Sequence, residues 1–521
     1  MPSRHLGIAL CQLRYLDIHV EYNPAALPQI VFSIEEPLRT MAEGIGVNVF
    51  LGRDRYYPRT EDRERWDQIG RLLDEAKPGF LRIGYLEGSV VEGDVSPWDD
   101  AAGAFDFSHD LWRKLEWFDA WCDRHCVNWM LDPWWTPCSM QVLRPDGGQV
   151  ESDPSGKVSW RGAPRDPAEY ADRYIRPLVR HLRRDLKLRR LKWMGLFNEP
   201  IWGKHARDPD NFFVAPGDSQ VRVLAQTYRE VRRALDEDGE NDLGIIGPGH
   251  LCSWQMPPLD FLACGVDPSP SLAAWDMHAY FHQPDWMPEP TEDFVTTHSL
   301  LQHTIRRWVD FAGQQGKPFF ITEMGTFFFG RPFWGQRDYE TAGCHSAAIH
   351  DAQFIVRAIN EGVDGFLRWA LCVDPVVDGR WGLIEWPKAD GPVVASPNIY
   401  PAYRALMQAI PPRSRVRVCR CLHSDGLVPR VHAVAVETPE GLRRVVLVHD
   451  RPGRNSDIFV RVPADWVGVE FRRTVVDEMR KGEELPSIHI PESREVELMI
   501  TPHSITVLKE ADSFRAVKKM S

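Results

Sequence analysis

No apolar run in this chain approaches the roughly 20 residues that a membrane-spanning helix needs. There is no basic excess either. Lys and Arg number 62 against 74 Asp and Glu, a formal net charge of −12, which argues against a nucleic-acid backbone as partner. Cysteine is sparse and scattered, 10 in 521 residues, and a chain this long does not read as a disulfide scaffold. Cys122, His125 and Cys126 in "WCDRHC" stand at helical spacing. A structural zinc site wants a fourth ligand nearby and none follows, so thiols without a metal are expected. The opening "MPSRHLGIALCQLRYLDIHV" has no long apolar stretch and no small-residue cleavage site. The expectation is a cytoplasmic protein, or a secreted one whose leader has been trimmed. Oligomeric state is not legible.

What the chain has in quantity is tryptophan, 20 residues, many of them in polar, Pro-rich stretches such as "DPWWTP", "QPDWMPEP" and "RPFWGQRD". Each is either a loop anchor or a flat surface for the C–H face of a sugar ring. Apolar (43%) and charged (26%) fractions are those of a globular protein, and the length suggests one large domain with a smaller one.

Eight short β-rich runs recur, each followed by a loop and a segment of helical periodicity. They are "IGVNVFLG", "GFLRIGYL", "CVNWMLDPWW", "LKWMGLFNEP", "LGIIGPGH", "AAWDMHAYF", "PFFITEMG" and "GFLRWALC". Strand–helix alternation implies parallel strands, and eight units predict a closed (β/α)8 TIM barrel over residues 41–411. The rival, a doubly wound open sheet, more often carries a Gly-rich phosphate turn after its first strand, and none is present. After "AIPPRSR" the runs become short and alternating ("RVHAVAV", "RRVVLVHD", "DIFVRVP", "EVELMIT", "SITVLKE"), which predicts an antiparallel β-sandwich over 412–510. Residues 1–40 also read as strands and are expected to join the sandwich; 511–521 form a tail.

Active sites of such barrels lie at the C-terminal ends of the strands. Two glutamates end strongly apolar strands there: Glu199 in "MGLFNEP" on strand four and Glu323 in "FFITEMG" on strand seven. Partial desolvation favours the protonated carboxyl, and two carboxyls in one pocket push each other's pKa values apart, giving one acid and one base or nucleophile. Strands four and seven face each other, so the carboxyls can approach to about 5 Å, the spacing of a retaining glycosidase. The alternative is a pair of glutamates that bind loop backbone or Arg.

In these residues the sequence resembles clan A glycoside hydrolases, whose acid/base and nucleophile lie on strands four and seven. A barrel followed by a sandwich that takes N-terminal strands is similar to families 30 and 39; family 5 shares the catalytic pattern. The resemblance implies a retaining β-glycosidase that needs no cofactor. Glu199 would be the acid/base, Glu323 the nucleophile, and Asn198 would bond the sugar 2-hydroxyl. It further implies that Arg82 in "LRIGY" holds the nucleophile ionised. His278 and Tyr280 in "DMHAY" share a strand face, with Tyr280 donating to Glu323. His278 would contact substrate or position the acid, unless it only fills the barrel interior. Trp369 in "LRWAL" would stack on the sugar, unless it is a core residue. Family 5 tends to end strand three in Asp-x-His; here it ends "LDPWW", with Trp134 where the His would stand, so the sugar contact on that side differs.

The loops at roughly 136–167, 201–217, 282–293 and 326–338 are long and carry Trp202, Trp286 and Trp334. Long loops wall the barrel mouth, which favours exo-action on short oligosaccharides or glycosides. An endo-glycanase and a sugar-binding protein without catalysis are the alternatives. An aldolase- or isomerase-type barrel would want a Schiff-base Lys or metal ligands at strand ends, and the eight runs show neither.

Overall fold

The computed structural model describes residues 30–51, 57–84, 96–134, 136–141, 164–198, 220–251, 266–284, 304–329, 342–373, 380–385, 391–423, 430–450, 453 and 455–511. Eight strands close a parallel barrel in chain order: β1 (Ile45–Phe50), β2 (Phe80–Gly84), β3 (Asn128–Asp132), β4 (Leu191–Met194), β5 (Gly244–Leu251), β6 (Ala274–Pro284), β7 (Phe319–Phe329) and β8 (Gly365–Arg368). Closure is made by β8 beside β1, with Phe366 opposite Ile45.

Alternation sorts each strand into an inner and an outer set. Phe80, Met130, Trp193, Ile246, Ala274, Phe320 and Leu367, one from each of seven strands, pack together as a plug inside the barrel. The eighth strand contributes Gly46, where a Cβ would come within 1.6 Å of the Phe80 carbonyl oxygen. Beside the plug, Glu43 accepts from Trp193 Nε1 at 2.9 Å and Asn128 Nδ2 at 3.0 Å, and burial pushes its pKa up. The plug gives the site above it a rigid apolar floor.

The outer helices show why their sequences fold as they do. In Arg63–Ala76 the apolar residues Trp66, Ile69, Leu73 and Ala76 fall at three- and four-residue spacing and are buried on one face. Asp62 caps its N-terminus by accepting from the Arg65 amide at 3.3 Å. The segment Pro167–Asp185 is helical with two five-residue π turns, Ala171–Ile175 and His181–Asp185, on either side of Pro177, which has no N–H to donate. Gly316, at φ 66°, ends the helical run before β7. Cys122 is buried and His125 Nε2 lies 2.9 Å from Asp74 Oδ1.

The second layer is β9 (Arg415–His423), β10 (Val431–Glu437), β11 (Arg443–His449), β12 (Ser456–Arg461), β13 (Glu470–Val476), β14 (Lys481–His489), β15 (Glu495–Ile500) and β16 (Ser504–Glu510). With strand Ile30–Thr40 they make one curled nine-stranded sheet, a β-sandwich in form, in the order β14-β13-β16-β11-β10-β9-(30–40)-β12-β15. Every pairing is antiparallel except that of Ile30–Thr40 with β12. Strand β10 is buried on both faces: Val431, Ala433 and Ala435 pack with Trp466 and Phe471, while Val434 and Val436 join the barrel's core. Asn360 ties the layers, donating to the Ala433 carbonyl at 2.8 Å and accepting from the Cys419 amide at 3.2 Å.

Candidate active site

At the strand C-termini the barrel interior turns from apolar to polar. Asn48 on β1, Arg82 on β2, Asp132 on β3, Asp276 and His278 on β6 and Glu323 on β7 are all buried. Arg82 is the hub. Its Nε and Nη2 donate to Asp132 Oδ2 at 2.9 and 2.6 Å, its Nη1 to Asn48 Oδ1 at 3.0 Å and to Glu323 Oε1, and its Nη2 also to Asn198 Oδ1 at 3.0 Å. Burial alone lowers the Arg82 pKa, but the charges of Asp132 and Glu323 outweigh it and the net shift is upward. The guanidinium is therefore a fixed cation, and its planar fork of donors holds Asn48, Asp132, Asn198 and Glu323 at once.

The second oxygen of Glu323 is held from β6. Tyr280 donates its hydroxyl to Oε2 at 2.7 Å, and His278 Nδ1 lies 3.3 Å from the same atom. Glu323 faces inward because β7 carries a bulge. Ile321 pairs with Met277, but His278 is opposite Glu323, so Thr322 is an extra residue on the strand. Thr322 also points in, donating to Asp276 Oδ2 at 2.5 Å, and Asp276 Oδ1 accepts from the Gly249 amide at 2.7 Å. Burial pushes the Asp276 carboxyl up to about 6.

Asn198 is buried, with its amide donating to the Trp134 carbonyl at 2.9 Å. Because its Oδ1 accepts from Arg82, its side-chain NH₂ is the end left to donate outward. Trp134 sits at φ 83°, a left-handed conformation for a bulky residue, secured by Asp132 Oδ1 accepting its amide at 2.9 Å. Its ring lies 4.6 Å from the Arg82 guanidinium carbon and 5.5 Å from the Trp369 ring. Gly84 is required beneath it, since a Cβ there would come within 2.9 Å of the indole. Trp369 is half-buried and follows β8; Trp381, buried, meets Tyr280 edge-on at 5.7 Å.

The structure thus gathers Arg82, Trp134, Asn198, His278, Tyr280, Glu323 and Trp369 around one barrel mouth. Glu199, Trp202, Trp286 and Trp334 lie outside the described residues, as does most of the four long loops. Three residues of the cluster were not singled out from sequence. Asp132 ends an apolar strand as a carboxylate, the same signal that marked Glu199 and Glu323. Asn48 is the one polar side chain in "IGVNVF". Asp276 shares the strand face of His278 and Tyr280. Among the described residues no group of three His, Cys, Asp or Glu side chains could hold a metal ion, and no helix is long and apolar enough to cross a membrane.

Several solved structures share this architecture. A family 30 subfamily 8 xylanase from Clostridium acetobutylicum superposes with a TM-score of 0.59 at 14% identity, covering 93% of this chain and 100% of its own. A family 51 arabinofuranosidase from Xanthomonas axonopodis pv. citri gives 0.57 at 12% identity, covering 93% and 100%. A glucosidase from Croceicoccus marinus gives 0.56 at 14% identity, covering 93% and 99%. The likeness is one of fold, that of clan A glycoside hydrolases. No protein-family model matches the chain, and no curated protein sequence does.

Proposed function

We propose that the chain is a retaining β-glycosidase in which Glu323 is the nucleophile and Glu199 the general acid/base. The observation that carries this reading is the setting of Glu323: a buried carboxylate with Arg82 on one oxygen and the Tyr280 hydroxyl on the other. It lies at the C-terminal ends of the strands, where such barrels carry their chemistry, with His278 beside it. In this reading Glu323 attacks the anomeric carbon while Glu199 protonates the leaving oxygen. Glu199 then takes a proton from water, which hydrolyses the glycosyl-enzyme with net retention.

Arg82 acts in two ways. It holds the Glu323 carboxylate in place through Oε1, and its bond to Asn198 turns that amide's NH₂ toward the sugar 2-hydroxyl, a contact that strengthens in the transition state. Asp132 balances the Arg82 charge and fixes its plane. Trp369 offers an aromatic face to the sugar, backed by Trp134.

The finer reading is exo-action on short oligosaccharides or glycosides, supported by the length of the loops that follow strands three, four, six and seven. Endo-action is the second reading, favoured by the solved structures of similar fold whose names are those of xylanases. A panel of chromogenic β-glycosides identifies the sugar, and a time course on an oligosaccharide of about six units with that linkage separates the two modes. Stepwise loss of single units supports exo-action; early mid-length fragments overturn it and leave the same two glutamates in an endo-glycanase. No turnover of any glycoside would overturn the enzyme itself.

A further inference from the structure

A second cavity lies on the same side of the barrel as the strand C-termini, between the first turns of helices Arg63–Ala76 and Leu111–His125. It is a solvent-open pocket of about 450 Å³, lined by Thr60, Glu61, Arg63, Trp66, Arg113, Lys114 and Trp117. That volume falls in the range of small-ligand pockets, roughly 300–1,000 Å³. Trp66 is buried with its indole N–H given to the Arg59 carbonyl at 3.1 Å, and Trp117 lies against it with ring centroids 4.7 Å apart. Trp117 is only half-buried, and both indoles line the cavity. The frame is stapled. Thr60 donates to Asp110 Oδ1 at 2.6 Å, joining the loop after β1 to the start of the second helix.

The charges are the unexpected part. Three cationic residues line this cavity, the exposed Arg63 and Arg113 and the buried Lys114, which has an interaction of its own, against one carboxylate, Glu61, in a chain of net charge −12. All three lie in the first turns of their helices, where the macrodipole and unpaired amides favour anions, so they do not serve helix stability. Arg63 and Arg113 are exposed at the surface of the pocket. Two exposed planar forks in a pocket also lined by two indoles match a ligand that carries a carboxylate or sulfate on a ring with a flat apolar side.

We propose that this cavity binds an acidic sugar, a uronate or sulfated residue, at a site separate from the Arg82–Glu323 cluster. The choice of a sugar over another anionic ring rests on the glycosidase reading; the anion site does not. Arg63 and Arg113 would clasp the acid group and Trp117 would take the C–H face of the ring.

The test is calorimetric titration of the full chain with a uronate-bearing oligosaccharide, its carboxyl-reduced neutral counterpart and a sulfated one, for wild type, Arg63→Ala/Arg113→Ala and Trp117→Ala. Hydrolysis of a small aryl glycoside is followed in parallel. Wild type should bind at least one acidic ligand about tenfold or more tightly than the neutral one, since paired charge-assisted bonds are lost with the acid group. Both variants should lose that preference while aryl-glycoside turnover is unchanged. Preference shared by the uronate and the sulfated ligand marks a general anion clasp, and preference for one names the acid group. Equal affinity for acidic and neutral ligands, no binding, or an undiminished preference in the double variant would overturn the proposal. A chain that binds the acidic sugar but turns over no glycoside keeps the site and loses the glycosidase.

Discussion

Thr322 and Glu323 are consecutive on one strand, yet both side chains point into the barrel. Strict alternation from Phe320, which is in the interior plug, would send Glu323 outward among the helices. The bulge at Thr322 turns it back, so that one residue anchors to Asp276 while the next reaches Arg82 and Tyr280.

The two glutamates should fail differently. Glu323→Ala is expected to lower turnover on the order of 10⁴-fold or more, with azide restoring activity and giving the inverted product. Glu199→Ala should cost roughly 10²–10⁴-fold on glycosides with poor leaving groups and much less on activated aryl glycosides, which need no proton. Steady-state rates and product stereochemistry on the two substrate types check this; the reverse pattern swaps the roles.

Arg82→Lys keeps the charge but offers three donors where Arg offers five. Four partners depend on Arg82: Asn48, Asp132, Asn198 and Glu323. At least one buried acceptor is left unmet, so the variant should lose about 2 kcal/mol or more of stability as well as activity. Urea unfolding beside kcat/KM checks both, and a variant of wild-type stability would mean a water takes the place of the missing donor.

Tyr280→Phe removes one donor from Glu323 and keeps the ring against Trp381. A hydrogen bond to a charged group contributes about 1.5–3 kcal/mol, so kcat/KM should fall roughly ten- to a hundredfold. Circular dichroism should be unchanged, while unfolding stability falls by no more than about the same 1.5–3 kcal/mol. An unaltered kcat/KM would remove Tyr280 from the positioning of Glu323.

Asp276 gives a pH test. Its folded pKa is about 6, raised chiefly by burial from an ordinary value near 3.8. The native state holds the proton more tightly, so ionisation in the fold opposes stability. That penalty is absent below the unfolded pKa, grows as pH rises between about 3.8 and 6, and levels off above 6. Asp276→Asn should therefore match wild type near pH 4 and gain up to about 3 kcal/mol relative to it by pH 7, the linkage limit for a shift of roughly two units. Denaturant unfolding at both pH values measures the difference; one that does not change with pH would show that Asp276 does not titrate in this range.

The missing parts of the sequence reading have physical causes. Strands β13 and β14 were not picked out because "EFRRTVV" and "KGEELPSIH" carry little apolar alternation. β14 is an edge strand, mostly exposed, with charges and Pro486 in place of a buried face. Arg368, on the outer face of β8, and Asp351 form a buried ion pair, with Tyr403 donating to Asp351 Oδ2 at 3.0 Å. No spacing in the chain announces it, because its members come from three separate elements.

Local sequence determined the kind of fold. Eight apolar runs, each followed by a helical period, can bury their surfaces only against one another, and a polar or charged residue closing such a run must sit at a strand end. That is why Glu199 and Glu323 were legible as a pair; the resemblance to clan A glycoside hydrolases added Arg82, Asn198, His278, Tyr280 and Trp369. Tertiary structure decided what each of them touches. The bulge that re-aims Glu323 and the Asp132 that balances Arg82 are matters of register and of charge shared across strands up to 241 residues apart in sequence. Pairing at that separation depends on barrel closure, which no local pattern encodes, and closure alone lets one guanidinium reach β1, β3, β7 and the end of β4 together.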